Sequence, residues 1–128
     1  MPIRCLIVDD NRPYLEAARV LLEREGLTVA GVATTGKEAF RQAKALHPEV
    51  VLVDISLGEE NGFDLARQLV EDGVGADATV VMISTRAEEE VADLLAESPA
   101  AGFVPKAELS AAAIRRLVDG RTNARREK

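Results

Sequence analysis

Val50-Val51-Leu52-Val53-Asp54 is an unbroken aliphatic run closed by a carboxylate, and Thr79-Val80-Val81-Met82-Ile83-Ser84 repeats the pattern with a hydroxyl at its end. Continuous apolar runs of this length suit strands covered by helices on both faces of a parallel sheet. On either side, Ile3–Val8, Leu27–Ala33 and Gly102–Val104 supply three more short strand candidates rich in β-branched residues. Between the runs, apolar residues recur at helical spacing. Tyr14, Ala18, Leu21 and Leu22 form a stripe after Pro13 and before Gly26. Ala39, Phe40, Ala43 and Leu46 follow Thr35 and Glu38, a capping box. Leu65, Ala66, Leu69 and Val70 form the third stripe. Ala87, Val91, Leu94 and Leu95 form the fourth, with a second capping box at Thr85 and Glu88, and Ala113, Ile114, Leu117 and Val118 form the last. Five strands alternating strictly with five helices predict an α/β fold doubly wound about one parallel sheet, since a barrel would need eight such units.

The chain of 128 residues is the size of one domain. Its 47% hydrophobic and 30% charged content suits a globular protein and excludes disorder. No Trp, one Tyr and three Phe leave no aromatic platform for stacking nucleic-acid bases. The single cysteine, Cys5, excludes an internal disulfide and reads as a small core residue. No apolar run approaches the ~20 residues that span a bilayer, and Asp9 and Asp10 interrupt any signal-peptide pattern, so a cytoplasmic protein with no membrane partner is expected. The net charge of −6 is uneven: residues 1–114 carry 10 basic and 20 acidic side chains, and residues 115–128 carry 6 and 2. An acidic body disfavours direct nucleic-acid contact. The folded domain is expected over 1–120, with 121–128 as a basic, flexible tail.

In a parallel sheet all strand C-termini share one edge, where ligands bind. The strand ends bring Asp9 and Asp10, Asp54, Ser84 and Lys106 toward that edge. Three converging carboxylates repel unless a cation intervenes, and an oxygen-only set with open positions suits Mg²⁺ or Mn²⁺. Three carboxylates, one divalent ion and one lysine sum to zero charge. Such a site can accept a phosphoryl group as an aspartyl phosphate. Each residue also has an ordinary reading: a solvated Asp pair, a turn Asp, a helix-capping Ser, a lone surface Lys. Singly, those readings win; jointly, they predict no particular spacing.

With these residues in place the chain resembles the receiver domain of two-component response regulators. The matching segments are Leu6-Ile-Val-Asp-Asp-Asn11, His47-Pro-Glu-Val-Val-Leu-Val-Asp54, Asn61-Gly-Phe-Asp-Leu65, Val80-Val-Met-Ile-Ser84 and Ala101-Gly-Phe-Val-Pro-Lys106. The resemblance covers residues 3 to about 119. It implies a flavodoxin-like sheet in the order 2-1-3-4-5 with five helices. It makes Asp54 the phosphoacceptor, with Mg²⁺ held by Asp10 directly, Asp9 through water, Asp54 itself and the Ser56 carbonyl. Ser84 would bond the phosphoryl oxygen, Lys106 would pair with it, and Phe103 would be the aromatic switch, acting by packing alone because it lacks a hydroxyl. The donor would be a histidine kinase or phosphotransfer protein, and the output an unnamed downstream protein.

Four positions depart from the family's habit. Gly58 stands where a Pro is usual, which suggests a looser, more acidic loop over 58–62. Ala107 follows Lys106 in place of Pro, so that bond is expected trans or strained. Thr85 replaces a smaller residue and would narrow access to Asp54, while Arg86 either covers the phosphoryl group or points to solvent. Lone His47 reads as an exposed turn residue, and Glu88-Glu89-Glu90 as a solvated first helical turn or an acidic partner surface. Arg121, Arg125 and Arg126 read as a solubilising end or the stub of a linker.

The leading expectation is a stand-alone phosphorylatable switch rather than a turnover enzyme. The alternative is a phosphorylation-independent receiver-like interaction module. A phosphatase would place a second Asp where Ser56 stands, and a flavin site would need hydroxyl and glycine donors where Asp9-Asp10-Asn11 offers carboxylates. Homodimerisation on phosphorylation stays open, as does a longer parent chain with an output domain.

Overall fold

The computed structural model describes residues 2–72 and 78–126, except the side chains of 121–126. The strands are β1 (Arg4–Val8), β2 (Thr28–Ala33), β3 (Val50–Asp54), β4 (Ser56–Leu57), β5 (Glu60–Asn61), β6 (Thr79–Ser84) and β7 (Gly102–Pro105). The helices are α1 (Arg12–Arg24), α2 (Gly36–Leu46), α3 (Gly62–Glu71), α4 (Glu88–Ala96) and α5 (Ala111–Arg126). The five long strands form one parallel sheet ordered β2-β1-β3-β6-β7, the order expected from sequence.

Both faces of the sheet are covered, and residue parity divides the core. Leu6, Val8, Val51, Val53, Val80 and Met82 face one side, with Ala39 and Ala43 of α2, Leu65 and Leu69 of α3, and Val91 of α4. Cys5, Ile7, Val50, Leu52, Val81 and Ile83 face the other, with Leu15 and Leu22 of α1 and Ile114 of α5. This two-sided burial is why the central strands read as continuous apolar runs. In register, Val8 lies beside Val53, Asp54 beside Ile83 and Ser84 beside Pro105. Asp54 and Ser84, with Asp9 just past β1, therefore leave the sheet at one common edge.

At the local scale some expectations are corrected and others hold. The core stripe of α1 is Leu15, Ala18 and Leu22, spaced i, i+3, i+7, while Leu21 is exposed and Tyr14 half-buried at the stripe's edge. Thr35 caps α2, accepting the Glu38 N–H at 3.2 Å. Thr85 does not cap α4. The Ser84 hydroxyl oxygen instead accepts the Arg86 N–H at 3.0 Å, and the helix starts only at Glu88, after Ala87. Of α4 only Val91 is fully buried, and Leu94 is 50% exposed. The segment expected as a loose loop closes a small hairpin, with Ser56 opposite Asn61 and Leu57 opposite Glu60. Gly58 turns it at φ +63°, a conformation closed to the proline otherwise expected there. The backbone of α5 stays helical past Gly120 to Arg126, because Arg and Ala are strong helix formers. Residues 127 and 128 of the expected tail lie outside the described residues.

Candidate functional site

The edge begins at β1. The Asp9 N–H donates to the Ala33 carbonyl of β2 at 3.0 Å, extending the ladder by one residue. Asp9 Oδ1 then accepts the Asn11 N–H at 2.9 Å, and Asn11 Oδ1 accepts the Tyr14 N–H at 3.1 Å, capping α1. The turn that starts α1 thus also orients Asp9, which is wholly buried, beside exposed Asp10. At the end of β3, Asp54 Oδ1 accepts the Ser56 N–H at 3.1 Å, leaving Oδ2 facing Lys106 Nζ at 3.2 Å. The same ammonium lies 2.5 Å from Asp9 Oδ2. Among the described residues no peptide bond is cis, so Lys106–Ala107 is trans, and Lys106 still reaches both carboxylates.

Asp9, Asp10 and Asp54 each bring a carboxylate oxygen within 4.8 Å of the others. Against one lysine this leaves an excess of two negative charges. Burial pushes the Asp54 carboxyl up to about 6, with the Asp9 charge adding to the rise and Lys106 and the Ser56 N–H opposing it. Burial alone lowers the Lys106 pKa, yet its contacts with Asp9 and Asp54 outweigh that and hold it above the ordinary lysine value. An all-oxygen, net-negative cluster with one member open to solvent fits a hard divalent cation such as Mg²⁺.

Ser84 is buried one position beyond the Asp54 neighbour Ile83, and its oxygen is engaged by the Arg86 N–H. Thr85 and Arg86 are both exposed. Phe103 sits beside Met82, two positions short of the edge, half-buried on the α4 side and apart from the carboxylates. Cys5 lies buried in the core with its thiol pushed up to about 12 by burial and by the Glu23 charge. His47 is an exposed left-handed cap of α2 at φ 48°.

Three contributors escaped the sequence reading. Gly62 opens α3 where a Cβ would land on the Asp54 carbonyl oxygen, so only glycine lets the helix start against the end of β3. Glu60 of the hairpin accepts the Gly36 N–H at 3.1 and 3.2 Å, pinning the segment after Asp54 to the start of α2. Tyr14 reads from its spacing as part of the α1 core, but its ring centroid lies 4.5 Å from Lys106 Nζ. The usable signal was its place one helical turn after Asp10, which returns it to the sheet edge.

Fold and site together define a doubly wound α/β protein with an acidic centre, of a kind that fits a hard cation, at the carboxyl edge of its sheet. Residues 5–118 match the response regulator receiver domain family, and the chain belongs to that family. The chemotaxis protein CheY of Thermotoga maritima is 29% identical over 103 residues, covering 80% of this chain and 84% of that protein. The response regulator GacA of Pseudomonas viridiflava is 32% identical over 105 residues, 81% of this chain and 48% of GacA. The chain thus spans about half the length of several curated relatives it matches. A Burkholderia pseudomallei response regulator, crystallised with a phosphorylated aspartic acid, calcium ion and citrate, superposes with a TM-score of 0.76. It is 25% identical, and the match covers 91% of this chain and 66% of that one. Among the described residues no helix is long and apolar enough to cross a membrane.

Proposed function

We propose that this receiver domain is a phosphorylation switch that takes a phosphoryl group onto Asp54 from the phosphohistidine of a histidine kinase or phosphotransfer protein. The observation that carries the reading is the Asp54 carboxylate, clustered with Asp9 and Asp10 and sharing the Lys106 ammonium with Asp9. A carboxylate oxygen of Asp54 attacks phosphorus, the phosphorus–nitrogen bond of the donor breaks, and the imidazole nitrogen leaves with the electron pair. Asp9, Asp10, Asp54 and the Ser56 carbonyl would hold a divalent cation, which supplies neutralisation of the phosphoryl charge. Lys106, already at the Asp54 carboxylate, pairs with the developing negative charge. The Ser84 oxygen already accepts the Arg86 N–H, so its own proton is free to be donated to a phosphoryl oxygen.

Drawing Ser84 toward the phosphoryl group opens space for half-buried Phe103 to turn inward. The surface of α4, β7 and α5 then repacks, shifting an existing equilibrium toward a partner-binding state. The phosphorylated aspartic acid and calcium ion in the Burkholderia relative support this reading. Intact mass after incubation with Mg²⁺ and acetyl phosphate tests it. One added phosphoryl group is expected in the parent, absent without Mg²⁺ and absent in Asp54→Ala. No gain with acetyl phosphate or candidate kinases would reduce the chain to a receiver-shaped binding module.

A further inference from the structure

Lys106 is held by two kinds of contact. Asp9 Oδ2 and Asp54 Oδ2 draw its ammonium at 2.5 and 3.2 Å, and the face of Tyr14 lies 4.5 Å away at the ring centroid. The lysine side chain is only 11% exposed, so little water competes with the ring for the charge. The Tyr14 hydroxyl is itself buried and finds no hydrogen-bond partner among the described residues. What the ring offers the site is therefore its face, while its hydroxyl is left unsatisfied. A four-carbon side chain has many rotamers, and an aromatic seat restricts them to those that reach Asp54.

From this geometry we infer that Tyr14 is a positioning residue for Lys106, its ring face seating the ammonium that pairs with the Asp54 phosphoryl group. The inference deepens the phosphoryl-acceptor reading and rests on it for its effect on rate; the seating itself does not. The ring matters on two counts. It contacts the same ammonium as carboxylates that a divalent cation also needs, so it gives the ammonium a place when the cation competes for Asp9. It also keeps a flexible side chain at the acceptor without adding another negative charge to a cluster that already has an excess.

The test compares Tyr14→Phe, Tyr14→Leu and Tyr14→Phe carrying ring fluorines, which keep the ring's shape while draining charge from its face. In the metal-free protein, the ring should shift the NMR signals of the Lys106 ε-methylene upfield, in the parent and in Tyr14→Phe but not in Tyr14→Leu. With Mg²⁺ and acetyl phosphate, Tyr14→Phe should be phosphorylated within about twofold of the parent. Tyr14→Leu should fall roughly five- to tenfold, with a stepwise fall across the fluorinated series. Tyr14→Phe should also melt above the parent, because it removes an unsatisfied hydroxyl. If Tyr14→Leu fails to fold, the fluorinated series decides alone. Rates flat across that series, or a loss in Tyr14→Phe as large as in Tyr14→Leu, would overturn the inference. A parent that takes no phosphoryl group sinks the acceptor reading instead, and the ε-methylene shift still decides whether the ring seats Lys106.

Discussion

At neutral pH the Asp54 carboxylate is nearly buried beside the fully buried Asp9, with one shared ammonium to answer both. Its carboxyl is pushed up to about 6, so between roughly pH 4 and 6 the folded protein holds that proton more tightly than the unfolded chain does. The stability associated with this group is present at low pH and is lost as pH rises through about 6. Asp54→Asn should therefore stabilise the metal-free protein at neutral pH by on the order of 1–3 kcal/mol, with the gain shrinking toward pH 4. Thermal melts of the two proteins at both pH values check this, and a variant less stable than the parent at neutral pH would contradict it. Tyr14 offers a second reading of the same charges. Burial and the charges of Asp9 and Asp54 push its hydroxyl up to about 12. It is the single tyrosine in a chain without tryptophan, so tyrosinate absorbance reports it alone. The titration midpoint should lie near 12 and drop in Asp9→Asn, whereas a midpoint near the ordinary value of about 10 would place the ring in water.

Among the elements, the junction of β3, the β4–β5 hairpin and α3 holds Asp54, the proposed acceptor, in place. Gly62 donates its N–H to Ile55 at 2.8 Å while its Cα crowds the Asp54 carbonyl. Gly62→Ala should cost about 2 kcal/mol or more, because the obstacle is backbone that cannot swing aside. Its denaturation midpoint should fall, and phosphoryl acceptance at Asp54 should fall with it. The opposite outcome is expected at Gly120, which sits exposed within α5 with open space where a Cβ would go. Gly120→Ala should stabilise the protein by roughly 0.5–1 kcal/mol, since alanine loses less backbone entropy in a helix. A melting temperature that does not rise would mean α5 contributes nothing to stability at that position. The hairpin was beyond sequence reading because two-residue strands show no alternation. The missed α4 cap had a different cause: Thr85 lies in a turn that the buried Ser84 oxygen holds by the Arg86 N–H.

For the molecule as a whole, the cluster of negative charge at the sheet edge opposes folding, and a bound cation would relieve that repulsion. Binding to the folded state alone adds stability by mass action, about 2.7 kcal/mol at a hundredfold excess over Kd. Mg²⁺ should therefore raise the melting temperature of the parent. Asp10→Ala should abolish that rise while leaving the metal-free melting temperature nearly unchanged, because Asp10 is exposed. A rise that survives the substitution would place the cation elsewhere.

The strand runs, their alternation with helices and the carboxylates at their ends were legible in the sequence because period and polarity are local properties. Val50–Asp54 and Thr79–Ser84 appear in the structure with the same boundaries as in the sequence reading. The juxtapositions were not legible. Lys106 meets Asp9 across 97 positions of chain, Glu60 meets Gly36, and Tyr14 meets Lys106 only because α1 and β7 reach one edge of the sheet. Distances of that kind follow from strand order and register, which arise from packing both sheet faces at once, and no local pattern encodes them.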